Sequence, residues 1–528
     1  MQYTNIISPS ILKQQKTEQD LFDVLYNHSL IDGNIMYMGR LAQRAAVLFP
    51  SKIALIARER TITYQELYAR AIQVSALLQA KGVKPRDRVL LLWENSIEFY
   101  IAYFGIVQIG AVVAPLNVFL QAREIMHILN DAQPVAMIVS DELRAKLVDI
   151  TDEQLPPLIR QKDIDLTNPV TTQVQDFAIV DLLPDEMVAL LYTSGTTGFP
   201  KGVMISSRNI ITNIAQGIAR IGLGIDENER IFCILPLFHS FAQFTCLWAP
   251  FLTCSTVIVV ARIDRRYLLD GLKHKPTIFL GVPALFGLLS LLKTAPLDSV
   301  KYFVSGGDAL PDKIRAAFAL IYRRKIGSGY GLTETTPLVA SDLMDEAART
   351  NTVGTLVCGI QAQLRGDNGT PVAQGLVGEL WVKGDNIMLG YYNAPEATAQ
   401  VLQDGWFCTG DLAYFDTENR LVITGRSKDL IVNKGFKIYP QEIENLIMGH
   451  SLVIRVGVIG REDKTAGQVP IAYVQVRELS PTLEQELADL CIKNLASYKN
   501  PRGFILTTKN LPTTATGKVD KKRLHEVD

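Results

Sequence analysis

Between residues 53 and 305, short apolar runs alternate with helix-length stretches, and this alternation limits the chain to few architectures. Residues 53–57, 89–93, 111–114 and 135–139 read as strands. Among them, Thr63 and Glu66 make a capping box that opens a helix running to Ala80 and stopped by Gly82, and further helices are expected over 97–109 and 122–130. The pattern resumes with strands at 231–235, 255–260, 277–282 and 300–305. Strands followed each time by a helix pair in parallel, because a parallel crossover needs a long connection and the helix supplies it. Two α/β sheets can be built this way. After residue 351, Gly-rich turns separate alternating runs at 361–365, 378–383 and 421–424, the pattern of antiparallel strands. Past Gly425 comes a small unit with helices at 440–448 and 483–495 and strands at 453–460 and 471–476. The expected fold class is α/β. Residues 1–427 form a large domain of two α/β sheets plus an antiparallel β subdomain, and residues 428–528 a small α+β domain. Upstream, a helix is expected at 36–48, and residues 151–181 read as a polar surface connection.

The chain has 528 residues, enough for two to four units at roughly 100–200 residues each. A formal net charge of −1 gives no electrostatic case for nucleic acid or for an anionic membrane surface. Six cysteines are scattered without a CxxC pair, which fits a reducing cytoplasm and argues against a zinc site. No signal peptide is visible at the N-terminus, and a cytoplasmic location is expected. Residues 99–122 and 231–261 hold no Asp, Glu, Lys or Arg, as a membrane span would. Pro115 and Asn117 interrupt the first, and Pro236, His239 and Pro250 the second, so both are expected in a buried α/β core. Peripheral contact with a bilayer stays open.

Four clusters carry chemistry. Leu191 to Gly202 holds Thr193, Ser194, Gly195, Thr196, Thr197, Gly198 and Lys201 between two short apolar runs. Glycines let successive backbone N–H groups converge on an oxyanion, and the hydroxyls and the ammonium add donors, so phosphate is the expected guest. Phe199-Pro200 before the lysine and Gly202 after it depart from the Walker pattern. The second cluster is Gly329-Tyr330-Gly331-Leu332-Thr333-Glu334-Thr335, in which glycines free the tyrosine ring to lie against a planar base and Glu334 is a hard carboxylate suited to Mg²⁺. Third is Trp406 to Leu412, with Asp411 after Gly410. On spacing alone, Asp411 is a turn residue. The last is Leu511 to Asp520, where Lys518 follows Thr516-Gly517 and a run of Lys521, Lys522 and Arg523 gives the segment a solvated basic character.

In these four clusters and their order, the chain resembles the adenylate-forming superfamily of acyl-CoA synthetases, aryl-CoA ligases, luciferases and peptide-synthetase adenylation domains. The resemblance implies that the first loop holds the β- and γ-phosphates of ATP, that Gly329 and Tyr330 meet adenine, and that Thr333 touches the α-phosphate. It also implies Mg²⁺ on Glu334 with Thr193, ribose on Asp411 and Arg426, and His239 beside the acyl carboxylate. By the same resemblance Lys428 is the pivot of a mobile small domain, and Lys518 bridges the carboxylate and the α-phosphate. ATP and CoA are the co-substrates so implied.

Amino-acid-activating relatives place an Asp between Phe241 and Pro250, and none stands there. Acetate- and propionate-activating relatives plug the pocket with a Trp at the position of Gly331. Glycine there is expected to leave room for a longer chain. The expected pocket wall is Phe241, Phe244, Trp248, Val282, Gly306, Gly307 and Leu332, apolar with small residues. A medium- or long-chain fatty acyl-CoA synthetase is therefore expected. Lys434, Gly435 and Phe436 match the CoA side of the family, but Val432-Asn433 stands where many CoA ligases are basic. A carrier-protein phosphopantetheine stays the second acceptor.

Overall fold

The computed structural model describes residues 17–31, 33–164, 177–193, 200–221, 228–342, 352–433, 436–463, 467–514 and 518–527. Two broad sheets form the α/β layers expected from the alternation. Across the first lie Gly390–Tyr391, Lys201–Ser206, Met187–Thr193, Val112–Pro115, Arg88–Leu92, Ala136–Val139 and Leu158–Arg160. Its interior is parallel and its Gly390–Tyr391 side antiparallel. Strand Val112–Pro115 is buried on both faces, which is why it reads as an unbroken apolar run rather than an alternating one. Across the second sheet lie Thr355–Leu356, Leu338–Ser341, Gly327–Gly331, Tyr302–Ser305, Ile278–Gly281, Arg230–Cys233, Thr256–Val259, Ile53–Ala57 and Arg60–Thr63.

Helix Ile97–Gln108 is buried along its whole length, with Tyr100 and Phe104 packed on Phe251. The charge-free run at 99–122 is thus interior helix and interior strand as far as Leu116, followed by a turn with Phe119 exposed. Among the described residues, no helix is long and apolar enough to cross a membrane. A third, antiparallel sheet holds Gln361–Arg365, Gly378–Lys383, Trp406–Phe415, Leu402–Gln403 and Leu421–Arg426. The fourth is built on the long pair Val453–Asp463 and Gly467–Val476, with Gly503–Thr507 parallel to the latter. Helices Pro440–Met448 and Leu483–Asn494 cover it, and Ile443, Ile447, Leu487 and Cys491 make a separate core against Val458 and Val474. A single turn, Ser427–Asp429, joins the third sheet to the fourth.

Three local expectations change. The helix expected over 36–48 begins at Leu41, because residues 36–38 are buried in extended and 3₁₀ backbone with the Tyr37 hydroxyl donating to Val107 O at 2.6 Å. Helix Glu18–His28, opened by the Thr17–Asp20 capping box, was not expected. The 151–181 connection holds an edge strand, Leu158–Arg160, too short to show a period. Residues 243–248 wind as a π-helix, a form often found beside functional sites.

Candidate active site

Strands Met187–Thr193 and Lys201–Ser206 form an antiparallel pair with Thr193 opposite Lys201. Ser194, Gly195, Thr196, Thr197 and Gly198 lie outside the described residues. The stems are well anchored: Tyr192 donates to Asp131 at 2.6 Å, and His127 Nε2 lies 3.1 Å from Pro200 O. Lys201 Nζ sits 5.1 Å from the centre of the Tyr391 ring. The Tyr391 hydroxyl donates to Glu334 Oε1 at 2.9 Å, so one tyrosine joins the lysine of the first cluster to the carboxylate of the second. Burial and then the Glu334 charge push the Tyr391 phenol well above its ordinary pKa, which keeps it a donor.

The turn that carries Glu334 is held from outside its own motif. Buried Asn386 donates to Thr335 O at 2.7 Å, and Asn213 pairs with both backbone groups of Leu338. Ser240 Oγ and Thr333 Oγ1 lie 3.1 Å apart. Tyr391, Asn386, Asn213 and Ser240 escaped sequence reasoning, since none belongs to a motif. The only signal is the charge-free setting of Ser240 beside His239.

Asp411 and Arg426 face each other across neighbouring strands, with Arg426 Nε 2.7 Å from Asp411 Oδ1. Tyr330 donates to the other oxygen at 2.5 Å. Burial raises the Asp411 carboxyl above its ordinary pKa, while the Arg426 guanidinium, Tyr330, Lys518 and Lys428 pull it back. A carboxylate has about four lone-pair positions, so these partners leave acceptor capacity for two further hydroxyls.

His239 stands at the start of a short helix, its Nδ1 accepting from Phe241 N–H at 3.3 Å. In the neutral ring the proton is therefore on Nε2. Burial, assisted by the Lys518 charge, lowers its pKa to about 4. Lys518 belongs to the far end of the chain, in a loop closed by Thr514 N–H on Lys518 O and Asp520 N–H on Pro512 O, each 2.8 Å. Its positive charge is felt at both His239 and Asp411.

The expected acyl wall divides. A β-carbon at Gly306 would lie 3.0 Å from the tip of the Phe241 ring, and one at Gly307 3.6 Å from Val282. Phe241, Val282, Gly306 and Gly307 thus come together, with half-buried Leu332 beginning the neighbouring turn. Phe244 and Trp248 do not join them as a free wall. Phe244 packs into Gly217, and Trp248 is enclosed in the main core with its indole N–H donating to Tyr103 at 3.0 Å. The expectation for Gly331 is also corrected. A β-carbon there would collide with the Pro337 carbonyl, so glycine is required by backbone contact between neighbouring strands rather than by pocket space.

Lys434 and Gly435 lie outside the described residues. Phe436 is 55% exposed and stacks on Tyr498, with ring centres 4.7 Å apart. Lys428 is exposed in the turn linking the third and fourth sheets, and partial desolvation lowers its pKa. No cluster of three metal-binding side chains occurs among the described residues. Glu334 has Oε2 left after Tyr391 takes Oε1, a donor set that fits Mg²⁺, which typically binds one or two carboxylates and draws its other ligands from phosphate and water.

Residues 42–392 match the model of the AMP-binding enzyme family, and residues 442–518 that of the AMP-binding enzyme C-terminal domain. The chain is 30% identical to a long-chain-fatty-acid–CoA ligase of Bacillus subtilis (strain 168), over 91% of this chain and 93% of that one. It is equally 30% identical to 4-coumarate–CoA ligase 1 of Solanum tuberosum, over 90% and 91%. Among solved structures, it superposes on the anthranilate CoA ligase AuaEII in complex with anthranoyl-AMP with a TM-score of 0.86 at 26% identity, covering 93% of this chain and 96% of that one. ATP-bound MatB from Rhodopseudomonas palustris gives 0.84 at 28%, covering 93% and 99%. With both family models in chain order and the fold shared end to end, this chain belongs to the AMP-binding enzyme family.

Proposed function

We propose that this AMP-forming acid–CoA ligase acts on a medium- or long-chain fatty acid. The observation that supports the chemistry is that the charge of Lys518, from the last segment of the chain, is felt at both His239 and Asp411 of the large unit. In the first step an oxygen of the substrate carboxylate attacks the α-phosphorus of ATP, and the bond to the bridging oxygen breaks to release pyrophosphate. Negative charge builds on the α-phosphoryl oxygens and on the leaving group. Lys518 and Lys201 are the cations that stabilise this charge. Asp411 holds the ribose hydroxyls, and His239 offers its Nε2–H to the substrate carboxylate. Mg²⁺ held by Glu334 and the Thr193 hydroxyl neutralises phosphate charge when bound. In the second step the CoA thiolate attacks the acyl carbonyl and AMP leaves with the bonding pair.

The fatty-acid reading is supported by the apolar surface made by Phe241, Val282, Gly306 and Gly307, which offers no charged partner for a polar tail. It is tested by pyrophosphate release with ATP and Mg²⁺ across acids from acetate to palmitate, with cinnamate- and benzoate-type acids alongside, each with and without CoA. Turnover of alkyl acids from about eight carbons upward, dependent on CoA and at least tenfold above the aryl acids, is the expected result. Preference for an aryl acid would overturn the fatty-acid assignment and leave the ligase chemistry standing. Adenylate formation to which CoA adds nothing would move the acceptor to a carrier-protein phosphopantetheine.

A further inference from the structure

Lys313 reaches from helix Asp312–Tyr322, which covers the second sheet, to the far side of a seam. Its ammonium donates to His450 O at 2.9 Å, with Ser451 O and Val453 O each at 3.4 Å. These carbonyls follow directly on helix Pro440–Met448 of the fourth sheet, at the helix end whose dipole favours a cation. Among the described residues the ammonium meets carbonyls and no carboxylate. We propose that Lys313 is a positioning residue that docks the C-terminal unit in the orientation presenting Lys518 to the adenylate-forming site.

The connection from Lys313 to Lys518 is continuous. Helix Pro440–Met448 carries Glu444, buried, which accepts from Val458 N–H at 2.8 Å and pairs with Lys521 at 2.7 Å. Lys521 lies on the same short segment as Lys518, just past the Thr514–Lys518 closure. A shift of the helix therefore carries the Lys518 loop with it. Lys437–Asp367 crosses the same seam, but at 45% and 85% exposure a lone pair of this kind contributes little. Lys313 is also placed to be lost without unfolding its helix, since Arg315 and Phe318 face inward and hold it. The inference rests on the two-step reading above: the orientation that suits the first step must be released for the second, and three bonds to carbonyls are weak enough to let go.

The test has one arm that needs neither an acid substrate nor turnover. Spin labels introduced as unnatural amino acids at exposed Leu320 and Ile492 report the distance between the two units by pulsed electron resonance. The wild-type protein with ATP is expected to give one narrow distribution, Lys313→Ala a broadened or displaced one, and Lys313→Arg, which also donates to carbonyls, the wild-type one. In the kinetic arm, Lys313→Ala slows acyl-adenylate formation about tenfold, as expected when a catalytic group loses its position, while thioester formation from supplied acyl-adenylate and CoA is unchanged or faster. An unchanged distance distribution in Lys313→Ala, or equal loss in both half-reactions, overturns the proposal. A wild-type protein that adenylates no acid overturns the functional reading instead, and the distance measurement still decides the docking role.

Discussion

Asp411 takes a guanidinium on one oxygen and a phenol on the other, and both partners were already distant motif residues in the sequence. Asp411→Asn keeps the shape and removes the charge. Because Arg426 is 42% exposed, water takes over part of the lost pairing, and thermal unfolding should show a stability loss of only about 1–2 kcal/mol. ATP affinity, read by calorimetric titration, should fall roughly tenfold to a hundredfold, since a charged acceptor for hydroxyls is gone. A large loss of stability with ATP affinity intact would refute the ribose role. His239 gives a pH prediction of definite sign. Its pKa is lowered to about 4, so the ring is neutral throughout the range above about pH 5. Only as pH falls through about 4 does Nδ1 take a proton, lose the Phe241 N–H and undo the start of the helix. The acid limb of pyrophosphate release between pH 5 and 7 should therefore be the same in wild type and His239→Asn, although the variant is slower at every pH. A limb that moves in the variant would show that the histidine titrates near its ordinary value.

At the scale of elements, the two glycine positions separate pocket from backbone. Gly331→Ala drives a β-carbon into the Pro337 carbonyl, where two antiparallel strands meet at a register shift, and something in the Glu334 turn must move. Stability should drop by about 1–3 kcal/mol and turnover should fall for every acid alike. Gly306→Ala meets only the tip of the Phe241 ring, a side chain that can rotate. Its turnover should fall selectively, with acids of ten or more carbons losing about tenfold against butyrate-length acids in a competition assay. Uniform loss at 306, or selective loss at 331, would reverse the roles given to them. The same pair shows what the sequence can and cannot disclose. Parallel strands such as Val112–Pro115 were legible because burial on both faces leaves no polar residue to interrupt them. The direction of a missing Cα–Cβ bond leaves no trace in sequence, so Gly331 looked like empty space. Tyr391 was illegible for a related reason: it reaches Glu334 only because strand Gly390–Tyr391 pairs beside Lys201–Ser206, a neighbourhood made by topology rather than by spacing. Trp248 shows the converse, an aromatic residue in the right segment whose indole N–H finds Tyr103 across the core.

Over the whole molecule, one lysine has to cross between units with separate cores. The C-terminal unit buries Ile443, Ile447 and Leu487 around its own sheet, so its internal packing does not depend on where it docks. Lys518 lies in a loop of that unit, and its charge reaches His239 and Asp411 only through the relative placement of the two units. Lys518→Gln should therefore leave the fold and the unfolding temperature nearly unchanged. The rate of acyl-adenylate formation should fall by about 10²–10³, the usual effect of removing a fixed donor aimed at developing charge. Acyl transfer from supplied acyl-adenylate to CoA should keep most of its rate, because in that step the leaving group is AMP and the charge forms at the carbonyl. Rapid-quench measurement of each half-reaction in a single turnover distinguishes these outcomes. Parallel loss in both steps would mean that Lys518 serves the bound nucleotide throughout the cycle, and the two units would then have no need to part between one step and the next.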